Sequence, residues 1–104
     1  MKTRDPQFTR RLGGVYAIIC TVNGRQYIGN TTTTFHRRWV DHRSKLNTGA
    51  HPNKGLQADW VLYGRDCFEF HPIDIKGVHS YSERAHILAR RNVGVDLYNV
   101  VIPG

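Results

Sequence analysis

The chain has 104 residues, 39% of them hydrophobic, which is enough for one compact domain and too apolar for a disordered chain. Fifteen Lys and Arg against eight Asp and Glu give a net charge of +7, and residues 1–52 hold nine of the basic side chains but only two of the acidic ones. There is no run of ~20 apolar residues, no secretory signal pattern and no C-x-x-C pair, so we expect no membrane span, no zinc or disulfide scaffold and a cytoplasmic location. The basic half favours nucleic acid as the partner, although a soluble basic protein without such a partner has the same composition.

The beginning of the chain predicts a basic arm followed by a β-hairpin. Residues 1–12 are too polar to pack well and predict a flexible arm, which leaves a single domain over residues 13–104. Two runs rich in β-branched and aromatic residues come next, Val15–Val22 and Arg25–Ile28. Asn23-Gly24 between them predicts a type I′ turn, because both central residues of that turn need a positive φ.

Apolar residues at helical spacing predict two helices after the hairpin. The first follows the capping hydroxyls of residues 31–34 and ends at Gly49, and the second begins at Pro52 and ends at Gly64. Their predicted buried stripes are Phe35, Trp39 and Leu46 in the first helix, and Leu56, Trp60 and Tyr63 in the second.

The second half of the chain predicts one more strand and one more helix. Phe68–Ile75 begins with alternating apolar residues and predicts a strand, in which Pro72 marks an edge position or a bulge because proline lacks an N–H group. Ser80 opens a helix that ends near Arg91, and a short apolar stretch follows it. The order β-β-α-α-β-α predicts an α+β fold, a small three-stranded antiparallel sheet flanked by helices.

A set of polar residues with two tripeptides gives the strongest functional signal. The tripeptides are Gly14-Val15-Tyr16 and Tyr27-Ile28-Gly29, with eleven residues from one tyrosine to the other. The residues that extend this pattern along the chain are Arg38, His51, Glu83 with Ile87 four positions later, and Tyr98-Asn99. The pattern resembles the GIY-YIG nuclease family, most of all the catalytic domains of phage-type homing endonucleases, over residues 13–100. It departs from the family only at Val15, where Ile is usual, and at Asn30, where a small hydroxyl residue is usual.

The resemblance implies a metal-dependent endonuclease that hydrolyses phosphodiester bonds in DNA, with duplex DNA as the expected partner. It further implies a phage-encoded protein in a bacterial cytoplasm. The sequence leaves the oligomeric state open between a monomer and a weak dimer. Basic side chains of the first half, and one beyond it, are the expected contacts to DNA. This predicted nucleic-acid-binding set is Arg37, Arg38, His42, Arg43, Lys45 and Lys54.

Four of the residues receive chemical roles from the resemblance. Tyr16 is the general base that activates water, and because a free phenol titrates near ~10, nearby cations must lower its pKa. Arg38 neutralises the scissile phosphate with its forked donors, and Glu83 holds one divalent metal, Mg²⁺ or Mn²⁺, that stabilises the leaving oxygen. Tyr27 orients the water or the phosphate.

Two further residues receive supporting roles, and one of them has a rival. His51 assists proton transfer, whereas His42, one turn after Arg38, is the alternative candidate for the same task. Asn99 supports the site by hydrogen bonds, although an asparagine here is more often just a turn residue.

Local explanations compete with these roles. Tyr16 and Tyr27 can be ordinary cross-strand aromatics, and Ser80-x-x-Glu83 is also a capping box. For the whole chain, the alternatives are a non-catalytic nucleic-acid-binding module on the same scaffold, or a nuclease that acts on RNA or branched DNA.

Overall fold

Three antiparallel strands and three helices make up the fold in the computed structural model, which describes residues 7–75 and 83–99. The strands are β1 (Gly14–Cys20), β2 (Gln26–Thr31) and β3 (Phe68–Ile75), in the sheet order β2-β1-β3. The helices are α1 (Phe35–Thr48), α2 (Lys54–Tyr63) and α3 (Glu83–Asn92). The predicted α+β class and the order β-β-α-α-β-α are confirmed.

Strand β1 is the centre of the domain because both of its faces are buried. Tyr16 and Ile18 lie in the apolar cluster that contains the buried residues of α1 and α2. Val15 and Ala17 point to the opposite face and lie in a second cluster with Ile87 of α3. A strand that is covered on both sides needs apolar residues at every position, which explains its unbroken apolar sequence.

The loop between β1 and β2 is longer than the predicted turn. The Cys20 N–H group donates to the Arg25 carbonyl at 2.9 Å, so residues 21–24 form the connection. Gly24 has a φ of 76°, but Asn23 does not have a positive φ and uses its Oδ1 atom to accept from the Arg25 N–H group at 3.0 Å. The type I′ prediction is therefore wrong, because that turn needs two consecutive residues with positive φ.

Both interpretations of Pro72 are confirmed. Strand β3 is an edge strand of the sheet. Val15 pairs with Asp74 whereas Tyr16 pairs with Pro72, so Ile73 is the extra residue of a bulge. The missing N–H group of the proline thus falls where the hydrogen-bond ladder is already interrupted.

The segment before β1 packs against the domain, unlike the predicted arm. Thr9 is fully buried within a short 3-10 turn, and the Phe8 ring meets Phe35 edge-on at 6.5 Å between centroids. The Phe35 N–H group donates to the Leu12 carbonyl at 2.9 Å, which ties this segment to the start of α1. The flexible-arm prediction is wrong for residues 7–12, because Phe8 and the buried Thr9 pack against the domain. Residues 1–6 lie outside the described ranges.

Side-chain caps set the helix boundaries. Thr34 accepts from the Arg37 N–H group at the start of α1, and Gly49 ends that helix with a φ of 76°. Asn53 accepts from the Leu56 N–H group, so α2 begins after Asn53 and not at Pro52. Ser80, the predicted start of the third helix, lies outside the described ranges. None of the helices in those ranges is long and apolar enough to cross a membrane.

Gly29 allows the central tyrosine to lie across the neighbouring strand. It stands directly opposite Tyr16 in the β1–β2 register. A Cβ atom at position 29 would overlap the Cζ and Oη atoms of Tyr16. The Tyr16 ring has no room to move away, because the residue is only 1% exposed. The second glycine of the motif is thus required by packing.

We predict that Gly29→Ala lowers the free energy of unfolding by ~1–3 kcal/mol, the usual cost of forcing an extra carbon into a filled core. Urea denaturation of the variant and the wild type measures the difference. Gly55→Ala is the matched control, because its Cβ atom would make only ordinary contacts, the nearest at 3.4 Å from Tyr98. Equal stability of Gly29→Ala and wild type would contradict the packing argument.

Candidate active site

The two tyrosines of the motif stand side by side on neighbouring strands. Tyr16 on β1 and Tyr27 on β2 point to the same face of the sheet, toward α1 and α2. The Tyr16 ring is buried and meets Trp39 edge-on, with 6.3 Å between centroids. Tyr27 is half-buried and lines a surface cleft. One phenol therefore belongs to the core and the other to the edge of the site.

A continuous line of hydrogen bonds begins at the Tyr16 hydroxyl. Tyr16 Oη is 2.6 Å from His42 Nε2, and His42 Nδ1 is 2.8 Å from His51 Nε2. At the far end, His51 Nδ1 accepts from the backbone N–H group of Asn53 at 3.0 Å. The Tyr27 ring covers both imidazoles edge-on, at centroid distances of 5.5 and 6.1 Å. We call this Tyr16–His42–His51–Asn53 arrangement the histidine line.

The hydrogen bonds of the histidine line distinguish the two histidines that are candidates for proton transfer. His42 contacts Tyr16 directly, whereas the contact of His51 to Tyr16 passes through His42. His42 is only 2% exposed, so its predicted place among the DNA-contacting residues is wrong. The sequence carried a signal for this position, because residue 42 lies on the same side of α1 as the buried Trp39 and Leu46.

Arg38 is held by an ion pair within α1. Its Nη1 atom donates to Asp41 Oδ2 at 2.6 Å, and Lys45 Nζ lies 3.3 Å from the same oxygen. A guanidinium has five N–H donors, so Asp41 can orient Arg38 and leave donors for a phosphate. The sequence analysis missed Asp41, which the i,i+3 and i,i+4 spacing to the two cations could have revealed.

Glu83 faces a cleft of about 510 Å³ at the edge of the sheet. Tyr27, Lys54 and Asn99 also line this cleft. Within the described ranges, no hydrogen bond or ion pair reaches the Glu83 carboxylate. The competing capping-box interpretation involves Ser80, which lies outside those ranges.

Asn99 is a support of strand β2. The chain before it runs along the open edge of this strand, where the Gln26 N–H group donates to the Asp96 carbonyl at 3.0 Å and the Tyr98 N–H group to the Gln26 carbonyl at 2.8 Å. The Asn99 side chain continues the pattern, since its Oδ1 accepts from Ile28 N–H at 2.8 Å and its Nδ2 donates to Ile28 O at 2.9 Å. The amide thus holds the strand that carries the second tyrosine.

Gln57 is a second support that the sequence analysis missed. Its Oε1 atom accepts from the His51 N–H group at 3.0 Å, and its Nε2 atom donates to the Leu46 carbonyl at 2.9 Å. The side chain therefore ties the residue before α2 to the last turn of α1. The sequence did not indicate this role, because the two partners of the glutamine come from separate segments of the chain.

The remaining members of the predicted DNA-contacting set occupy different places. Arg37 and Lys54 are exposed, and Lys54 stands at the cleft. Lys45 is paired with Asp41, and the Arg43 guanidinium lies 4.3 Å from the centroid of the Phe70 ring. Arg37 and Lys54 are therefore the members most available to a partner.

The pKa values of both tyrosines respond to the same two charges. Burial raises the pKa of Tyr16, with a further rise from Tyr27 and an opposing effect of Arg38. Burial also raises the pKa of Tyr27, with a further rise from Glu83 and an opposing effect of Arg38. The charge of Glu83 also raises the pKa of Tyr16. Burial raises the pKa of Glu83. The four groups therefore lie within electrostatic reach of one another.

Both histidines are neutral near pH 7. Burial lowers the pKa of His42 to about 3, and the charge of Arg38 adds to this effect. Burial also lowers the pKa of His51, followed by the charges of Lys45 and Arg38. A cationic imidazole is disfavoured here because the site already holds fixed positive charge.

Comparisons with known proteins agree on a single family. The GIY-YIG catalytic domain matches residues 12–90. A mutant of the catalytic domain of the intron endonuclease I-TevI is 26% identical, with a TM-score of 0.71, over 89% of this chain and 97% of that one. The catalytic domain of the homing endonuclease I-TevI is 25% identical, with a TM-score of 0.69, over 86% of this chain and 98% of that one. No curated protein gives a significant match.

The pKa of His42 predicts a loss of stability in acid. The unfolded chain binds a proton at this residue below pH ~6.5, whereas the folded protein does so only near pH 3. Between these values the unfolded state holds the extra proton, so the free energy of unfolding falls as the pH falls, by ~1.4 kcal/mol per pH unit for one proton.

Urea denaturation at pH 7, 6, 5 and 4 measures this slope. We expect His42→Gln to flatten it, while the exposed His71→Gln serves as the matched control and keeps the wild-type slope. A His42→Gln slope equal to that of the wild type would show that another group causes the acid sensitivity.

Proposed function

The chain belongs to the GIY-YIG catalytic domain family, and on that premise we propose that it is a metal-dependent, homing-type endonuclease that hydrolyses phosphodiester bonds in duplex DNA. The family and the similar structures make it an endonuclease. DNA as the substrate is supported by the similarity to a homing endonuclease domain and by the net charge of +7. Origin in a phage and a cytoplasmic location stay predictions.

One observation carries the catalytic part of the proposal. Tyr16, Tyr27, Arg38 and Glu83 come from four different elements, yet the two tyrosines pack in one cluster, Tyr27 and Glu83 line one cleft, and the charges of Arg38 and Glu83 act on both phenols. Hydrolysis of a phosphodiester needs a base for water, positive charge for the phosphoryl oxygens and stabilisation of the leaving oxygen. This group of residues offers each of these within one site.

Tyr16 is the proposed base. Its ionised oxygen takes a proton from water as the water oxygen bonds to phosphorus and the bond from phosphorus to the leaving oxygen breaks. Arg38 neutralises the phosphoryl oxygens, and Asp41 keeps its guanidinium in place. Tyr27, at the cleft, orients the water or the phosphate. Ionisation of Tyr16 opposes its burial, so the charges of Arg38 and of a bound divalent cation would have to offset that cost.

Glu83 fits the role of a ligand for a divalent cation. Its carboxylate is partly desolvated, which raises its pKa, and it stands at a cleft beside no described partner. No group of three or more His, Cys, Asp or Glu in the described ranges can form a ligand cage. This suits Mg²⁺ or Mn²⁺, which are commonly held by one or two carboxylates together with water and phosphate oxygens. When bound, such an ion supplies positive charge to the leaving oxygen.

We predict that Glu83→Gln reduces cleavage of plasmid DNA at least about a hundredfold in the presence of Mg²⁺ or Mn²⁺, because it removes the charge that binds the cation. Binding of duplex DNA, measured by fluorescence anisotropy, is expected to stay the same or become tighter. Glu69→Gln is the matched control, since this carboxylate pairs with His71 on β3.

Three results would contradict parts of the assignment. Undiminished cutting by Glu83→Gln excludes it as the metal ligand. Cutting that persists in EDTA excludes the metal, whereas binding of DNA without any cutting supports the non-catalytic module. Parallel assays with RNA and with branched DNA decide between the substrate classes.

We predict that Tyr16→Phe lowers the rate of cleavage by ~10²–10⁴-fold, the usual contribution of a general base, and that this variant stays folded because only the hydroxyl is lost. Since burial raises the pKa of Tyr16, the ionised fraction and hence the wild-type rate should rise with pH through neutrality and beyond pH 8. Single-turnover rates from pH 6 to pH 9 measure this. A plateau near pH 7 would indicate a histidine as the base.

A further inference from the structure

The histidine line ends at a group that can only donate a hydrogen bond. The backbone N–H group of Asn53 lies 3.0 Å from His51 Nδ1. Asn53 is fixed in place, because its Oδ1 atom caps α2 and its Nδ2 atom donates to the Tyr98 carbonyl at 2.9 Å. His51 Nδ1 must therefore be an acceptor, which means that this nitrogen carries no proton.

The next two bonds follow from the number of protons on a neutral imidazole. Burial lowers the pKa of both histidines, so each ring has one N–H group near pH 7. With Nδ1 unprotonated, His51 carries its proton on Nε2 and donates to His42 Nδ1. His42 then also carries its proton on Nε2, 2.6 Å from Tyr16 Oη.

The reverse arrangement conflicts with the geometry. If Tyr16 donated to His42 Nε2, the proton of His42 would lie on Nδ1 and that of His51 on Nδ1 too. Two N–H groups, those of His51 and Asn53, would then face each other at 3.0 Å.

The contact between the two histidines has the geometry of a hydrogen bond. Their ring centroids are 5.0 Å apart, close to the largest separation that a 2.8 Å contact between two ring nitrogens allows. The hydrogen bond therefore lies in line with both rings.

We propose that the histidine line runs in one direction, from the backbone N–H group of Asn53 to the hydroxyl oxygen of Tyr16. His42 is then a hydrogen-bond donor to Tyr16 and does not take its proton. The donated bond stabilises the ionised phenol, while the proton of the neutral phenol points away from His42. His51 is a positioning residue that fixes the tautomer of His42, and Gln57 holds the backbone of His51. The catalytic meaning of this arrangement rests on the proposed function, whereas the tautomers do not.

Nitrogen-15 NMR of the histidine-labelled wild-type protein at pH 8, without metal or DNA, tests the direction. Protonated and unprotonated ring nitrogens have widely separated chemical shifts. We expect His42 and His51 both to show a protonated Nε2 and an unprotonated Nδ1. A protonated Nδ1 on His42 would overturn the proposal, and this measurement needs no variant.

Two variants of His51 test its positioning role. His51→Gln places an amide donor near the position of Nε2 and should keep the His42 tautomer, whereas His51→Leu offers no donor and should give a mixture of tautomers. His71→Gln is the matched control and should leave the His42 signals unchanged. An unchanged single tautomer in folded His51→Leu would show that His51 does not set it.

Cleavage rates connect the tautomers to the reaction. His51→Leu should cut DNA about tenfold more slowly or worse, and His51→Gln should recover part of that loss. Equal rates in the two variants, with the tautomers differing as expected, would remove His51 from the catalytic machinery. Absence of any cleavage by wild-type protein would count against the proposed function alone, since the NMR result decides the direction separately.

Discussion

The Tyr16 phenol is buried because the backbone of β2 approaches it at a residue without a side chain. Gly29 stands opposite Tyr16, and the phenol fills the space that any other residue would need. Trp39 and His42 close the other sides of the ring. Burial then becomes the largest influence on the pKa of the hydroxyl. The phenol is therefore built into the core of the sheet, and its surroundings are as closely packed as that core.

The neutral histidines lie in the interior of the site, whereas its cationic side chains lie at the surface. The histidines, which touch the buried phenol, lose their positive charge through burial and through the nearby cations Arg38 and Lys45. The cations stay partly exposed on α1, where Asp41 holds both. An anionic substrate would meet the fixed charges first and the uncharged hydrogen-bonding groups beneath them. This order avoids the large cost of burying a charge without a partner.

Residues far along the chain stabilise this arrangement through backbone contacts. The Asn99 side chain hydrogen-bonds to both the backbone N–H group and the carbonyl of Ile28, as the backbone of a neighbouring strand would. The preceding Tyr98 donates to Asp59 Oδ2 of α2 at 2.6 Å, and the Arg25 guanidinium lies 4.3 Å from the centroid of its ring. The segment after α3 thus connects β2 with α2. These contacts fix the position of Tyr27 relative to the start of α2. The histidine line depends on this position, because it ends at Asn53, the cap of α2.

The sequence by itself determined the order of the elements, because hydrophobic periodicity, caps and proline act locally. It also indicated the residues of the site through a pattern of polar side chains, most of which the structure brings near the two phenols or the cleft. Only the tertiary structure decided that His42 is buried against Tyr16, that Asn99 serves β2, and that Phe8 and Thr9 join the core. These facts depend on contacts between distant segments and on the loss of solvent around each group. Neither quantity is encoded in a short stretch of chain, since both arise when the helices close over the sheet.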